Sequence, residues 1–178
     1  MEKITNPFKL VEEFHNVFAP AKSNTPTPFS PQEAINRAEF KAEELVEFLY
    51  GAANNDQQVF HQLVETFKVA IDQAEEKIIN KQMPVTDPLV DEVDALTDLL
   101  YFTYGSFLMM GVDPTEIFSI VHQANMGKLF PDRKPHYHPI THKVLKPGDW
   151  EEKYAPEAKI KKELEKQKKN SLMPEEAY

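Results

Sequence analysis

Residues 56–81 set Val59, Phe60, Leu63, Val64, Phe67, Ala70, Ile71, Ala74 and Ile78 three or four positions apart, a period that a helix gathers into one apolar face. A helix of that length cannot bury such a face alone, so the chain must fold by packing helices together. Neighbouring stretches repeat the signal. Ser30-Pro31-Gln32-Glu33 supplies an N-cap, a proline in the first turn and a capping-box glutamate. The helix it opens should run to about Gly51, with Ile35, Ala38, Ala42, Leu45 and Leu49 as its stripe. Asp87-Pro88 opens another, with Leu89, Val93, Leu96, Leu100, Tyr104 and Phe107 facing the core and Gly111 ending it. Asp113-Pro114-Thr115-Glu116 opens a fourth, carrying Ile117, Phe118, Val121 and Ala124.

A shorter amphipathic helix over residues 7–18, with Phe8, Val11, Phe14 and Phe18 on one face, precedes these, and a proline-bearing loop from Ala19 to Phe29 follows it. Prolines and histidines between Leu129 and Pro147 predict no helix, and residues 159–169, almost all Lys and Glu, read as a solvated helix or a fraying end. The expected fold is all-α: an antiparallel bundle of four principal helices plus peripheral helices. It forms one domain over 1–178, with its core at about 30–150 and a charged tail from 151 to 178.

A net charge of −9 argues against a nucleic-acid or membrane-surface partner, either of which calls for a basic face. The absence of cysteine excludes disulfides, a thiolate nucleophile and a Cys-ligated zinc. The first residues, Met-Glu-Lys-Ile-Thr-Asn-Pro, lack an apolar leader, and no apolar run approaches membrane-spanning length. A soluble, cytoplasmic protein is the expectation.

Two acidic stretches stand out. Glu43, Glu44 and Glu47 lie within five residues of one predicted helix, where like-charged neighbours three or four apart cost ~0.2–0.5 kcal/mol per pair. Asp91, Asp94 and Asp98 share one face of another at i, i+3, i+7 spacing, with few basic partners nearby. A solvated charged face is the plain alternative for either stretch. Taken together on strongly apolar helices, they favour a site in which carboxylates from facing helices hold a divalent ion. No histidine accompanies them, so an all-oxygen donor set points to Mg²⁺, with Mn²⁺ also suited. Asn125 and Lys128, at i, i+3, can grip phosphate oxygens, although Lys128 is also a favourable charge at a helix C-terminus. His122 is more simply a helix-surface residue than a ligand, and Tyr101, Phe102 and Tyr104 more simply core than a stacking platform.

These residues resemble the all-α nucleoside triphosphate pyrophosphohydrolases, the superfamily of MazG, dimeric dUTPase and phosphoribosyl-ATP pyrophosphohydrolase. Glu43-Glu44-Leu45-Val46-Glu47 is similar to its Glu-Glu-x-x-Glu motif, and Asp94-Ala95-Leu96-Thr97-Asp98 to its second, Glu-x-x-Asp, with Ala95 where the glutamate usually stands. Val121 to Leu129 resembles the Asn-x-x-Lys segment of MazG-like members, and Lys143 to Trp150 their closing segment. The resemblance implies a MazG-like bundle whose Glu44, Glu47, Asp94 and Asp98 bind Mg²⁺, with Asp94 replacing the missing motif oxygen. Glu43 would be a further ligand or, with Glu47, the catalytic group that orients the attacking water; Asn125, Lys128, Lys41 and Lys146 would hold the phosphates. The implied reaction is attack of water on the α-phosphorus of a nucleoside triphosphate, canonical, deoxy or damaged, giving the monophosphate and pyrophosphate. The superfamily also implies a homodimer or homotetramer. The rivals are phosphoribosyl-ATP hydrolysis and a non-catalytic helical metal-binding or oligomerisation module.

Overall fold

The computed structural model describes residues 6–18, 22–140 and 143–172. The readings made above of the extreme N-terminus, of residues 19–21 and of the last six residues lie outside these. The fold is all-α, as the periodicity requires. Among the described residues there are seven helices and no strand: α1 (Pro7–Phe18), α2 (Pro31–Ala53), α3 (Gln57–Lys81), α4 (Pro88–Met109), α5 (Thr115–Met126), α6 (Trp150–Tyr154) and α7 (Glu157–Leu172). Among the same residues no helix is long and apolar enough to cross a membrane.

The chain divides into two compact units. One, Thr25–Thr97, is built on α2 and α3. Its helices begin and end where their chemistry says. The Glu33 amide donates to Ser30 Oγ at 3.3 Å and the Ser30 amide donates to Glu33 Oε2 at 2.9 Å, closing the expected capping box. The Ser30 contacts hold the Glu33 carboxyl below its usual pKa. Asn54 and Asn55 take positive φ, a conformation asparagine tolerates, and end α2 two residues past Gly51. Asp56 then caps α3 by accepting from the amides of Gln58 and Val59. The resulting helical hairpin is closed by an edge-to-face contact of Tyr50 with Phe60, ring centroids 5.1 Å apart. Asp87 starts α4 by accepting from the amides of Leu89 and Val90. Two residues on from Val90, Glu92 Oε2 accepts from the Phe29 amide at 2.9 Å, pinning the first turns of α4 to the start of α2. Beyond that pin, the part of α4 in this unit packs along neither α2 nor α3.

The second unit, Met1–Asn24 with Asp98–Tyr178, is centred on α5. Here α1 packs on α5, and α7 packs on α5 as well. The buried side of α1 is formed by Leu10 and Phe18, with the Phe14 ring stacked on Phe18, whereas Phe8 and Val11, expected on that side, are exposed. His122 is turned toward α1, its Nε2 3.2 Å from Glu13 Oε2. The Lys/Glu segment does not fray: α7 half-buries Ile160, Glu163, Leu164 and Gln167, a stripe at helical spacing. The Gln167 amide exchanges two hydrogen bonds with the Asp113 backbone. Gly111, at φ +67°, ends α4 as expected. Between α5 and α6 the chain forms an isolated antiparallel bridge, Tyr137 with Val144, and the Tyr137 hydroxyl donates to the Phe18 carbonyl at 2.8 Å.

Many residues of the expected core stripes remain exposed within the single chain. Ile35, Ile71, Ile78, Val93 and Leu100 are all at least half exposed, and Tyr101 and Phe102, expected in the core, are exposed too. The periodicity identified these faces correctly as apolar. It did not say how much of them the single chain covers.

Candidate active site

Two of the residues expected to hold phosphate meet at the C-terminal end of α5. Asn125 and Lys128 are half-buried, and the Lys128 ammonium donates to Asn125 Oδ1 at 2.7 Å. With Oδ1 occupied, the Asn125 amide keeps its N–H groups for other acceptors, so amide and ammonium together present donors of the kind phosphate oxygens accept.

The segment after Pro147 closes over this end. Trp150 is 5% exposed, and its indole N–H donates to the Ala124 carbonyl at 2.8 Å, one residue before Asn125. Any side chain at 127 would collide with the Tyr154 ring, so Gly127 is what lets α6 lie against the end of α5. Lys146 arrives on the same segment. Its ammonium lies 3.8 Å from the Trp150 ring centroid and 3.3 Å from Glu151 Oε1. Gly127 and Tyr154 were not singled out from the sequence. The lone tryptophan beside a short helix was the available signal, since a tryptophan off the helical stripes must find its own burial.

The acidic residues are placed differently. Glu43, Glu44 and Glu47 lie on α2, with Glu43, Glu44 and Glu47 all at its solvent-facing surface, and Asp94 and Asp98 are exposed on α4, Asp98 falling within the second unit. Among the described residues the side chains of Glu44, Glu47, Asp94 and Asp98 make no hydrogen bond or ion pair. Elsewhere lysine neutralises acid at helical spacing, as in Lys9–Glu12, Lys68–Glu65, Lys153–Asp149 and Lys166–Glu163. Lys41, half-buried on α2, donates to the Arg37 carbonyl at 3.1 Å, and its partial burial, then the Arg37 charge, hold its pKa below the usual lysine value. Among the described residues of one chain, no three His, Asp or Glu side chains are gathered closely enough to hold a metal ion. Their chemistry nonetheless suits one: the donors are all hard oxygens, as Mg²⁺ and Mn²⁺ take.

A crystal structure of a candidate NTP pyrophosphohydrolase from Exiguobacterium sp. 255-15 is similar over 95% of this chain and 99% of that one, with a TM-score of 0.84 and 38% sequence identity. No curated protein matches. The phosphoribosyl-ATP pyrophosphohydrolase family matches residues 11–125, a span that takes in both acidic stretches and ends at Asn125, short of Lys128 and Trp150. On that match the chain belongs to the phosphoribosyl-ATP pyrophosphohydrolase family, within the all-α NTP pyrophosphohydrolases, and is an enzyme that hydrolyses a phosphoric anhydride.

Proposed function

We propose that this protein is a Mg²⁺-dependent nucleoside triphosphate pyrophosphohydrolase of the cytoplasm, cleaving a deoxy- or non-canonical nucleoside triphosphate to the monophosphate and pyrophosphate as a homo-oligomer. One observation carries the reading: among the described residues the carboxylates of Glu44, Glu47, Asp94 and Asp98 stand without a protein partner on two helices. Like charges at such helical spacing cost ~0.2–0.5 kcal/mol per pair, a repulsion that a bound cation would offset. The likeness to the Exiguobacterium protein, a candidate NTP pyrophosphohydrolase, supports the substrate class.

Glu44, Glu47, Asp94 and Asp98 would hold the divalent ion, which when bound offsets the charge that develops on the phosphoryl oxygens. Glu43 and Glu47 act on the attacking water, which a carboxylate in that position orients and whose proton it accepts. Asn125 and Lys128 grip the phosphate chain, and the Lys128–Asn125 contact at 2.7 Å keeps both donors in place before substrate arrives. Lys146, held against Trp150, adds charge at the same end of α5, and Lys41 would contribute from α2.

The name of the matching family favours a second reading, phosphoribosyl-ATP as substrate. The match ends before Lys128 and the Trp150 segment, and those parts resemble the MazG-like members instead. Pyrophosphate release measured with and without Mg²⁺, over a panel of canonical, deoxy and damaged triphosphates plus phosphoribosyl-ATP, decides between them. Mg²⁺-dependent turnover of a triphosphate is expected; turnover of phosphoribosyl-ATP alone selects the second reading, and silence across the panel removes both.

A further inference from the structure

We infer that the two acidic stretches are brought together by two copies of the chain, α2 of one copy supplying Glu43, Glu44 and Glu47 and α4 of the other supplying Asp94. The inference rests on the pyrophosphohydrolase reading above and names the partner that completes its site.

The geometry is contained in the unit Thr25–Thr97. Glu92 holds the start of α4 against Phe29, at the beginning of α2. Asp94 follows Glu92 by two residues and so stays near that end. Glu47 lies seventeen residues beyond Ser30 along an unbroken helix, about 26 Å away at 1.5 Å per residue. Were α4 to run back along α2, it could carry Asp94 part of that way, but α2 packs along α3 and not along α4. Within one chain Asp94 therefore stays apart from Glu47, in keeping with the lack of any three gathered carboxylates among the described residues.

The faces that carry them are those left uncovered. Leu45 and Phe48 flank Glu44 and Glu47 and are 42% and 58% exposed; Val90 and Val93 precede Asp94 and are 59% and 53% exposed. Side chains of this size are stabilised by burial at about 25 cal/mol per Å² of apolar surface, so both faces call for a cover. A partner of any other kind would have to bring its own apolar face and its own carboxylates. A second copy has both. In a two-fold arrangement, α4 of each copy lies on α2 of the other, a self-complementary interface that yields two equivalent sites. The like charges then meet around a cation instead of around each other, so closure of the interface and binding of the ion reinforce one another.

Because the chain has no cysteine, single introduced thiols report proximity cleanly. Glu47→Cys and Asp94→Cys are prepared separately, mixed after reversible dissociation, and treated with a short bismaleimide. A covalent dimer that forms in the mixture and not with either variant alone is the expected result. A mixture that stays monomeric on a denaturing gel, or single variants that couple equally well, overturns the inference. A doubly substituted chain that couples within itself does so as well. As a second measurement, the inactive variants Glu47→Gln and Asp94→Asn are mixed in equal amounts. Half of the pairs are then mixed and each retains one intact site, so about one quarter of wild-type turnover should return; no recovery counts against the inference. The cross-link needs no catalysis. An active wild type with no interchain product removes the shared site and leaves the activity standing, and an inactive wild type with that product does the reverse.

Discussion

The α5 end of the second unit and the acidic face of α2 each carry residues named in the proposed function, yet they are in opposite physical states. Around α5 the polar and aromatic side chains are already held: Lys128 on Asn125, Lys146 over Trp150, and Trp150 on the Ala124 carbonyl. On α2 the carboxylates stand in solvent, and among the described residues Glu44 and Glu47 have no partner. The difference follows from what each set must bind. Cationic and amide donors can be organised by local hydrogen bonds and by the C-terminal end of a helix, because those contacts are attractive without ligand. Carboxylates set three or four residues apart repel one another, and a bound cation would offset that repulsion. Among the described residues the donors at the end of α5 are thus held by contacts within one chain, whereas the side chains of Glu44 and Glu47 are not.

Substitutions on either side test that contrast, beginning where the effect should be greatest. Glu47→Gln keeps the shape of α2 while removing a charge, so pyrophosphate release should fall on the order of 10²–10³-fold with the far-ultraviolet circular dichroism unchanged. Wild-type rates in this variant would break the acidic half of the comparison. Trp150→Ala removes a buried aromatic and its hydrogen bond, and should destabilise the chain by about 3–5 kcal/mol in denaturant unfolding. A change within error there would mean that the closing segment does not organise α5.

Leu100→Asp introduces charge at a side chain 61% exposed in the single chain. It should leave helix content intact while shifting the mass seen by light scattering toward the monomer, whereas an unaltered mass would show that this face needs no cover. Lys128→Ala takes away one charged phosphate contact, worth about 1.5–3 kcal/mol, and should raise KM roughly 10–100-fold with a smaller change in kcat. The smallest effect is that of Ser30→Ala, which opens the capping box of α2 and should cost about 1 kcal/mol of stability. The pH dependence of that cap has a definite sign. Glu33 titrates below its ordinary value in the fold, so its contribution is present above the unfolded carboxylate range and is lost as the pH falls through the folded value.

Local chemistry wrote most of the helix map into the chain. Ser30, Asp56 and Asp87 each accept backbone amides at a helix start, and Asn54 and Gly111 take the left-handed turns that end helices, because caps and turns depend on residues a few positions apart. The meeting of Asn125 with Lys128 was legible for the same reason, from their i, i+3 spacing. Periodicity could also say that α2, α3 and α4 are apolar on one side, but a period has no information about distance. Only the tertiary structure showed that Glu92 anchors α4 at the far end of α2 from Glu47, that Lys/Glu-rich α7 packs on α5, and that Gly127 makes room for Tyr154. Those outcomes depend on which surfaces meet across many residues of separation, and a sequence specifies such meetings only through the summed packing of the whole chain.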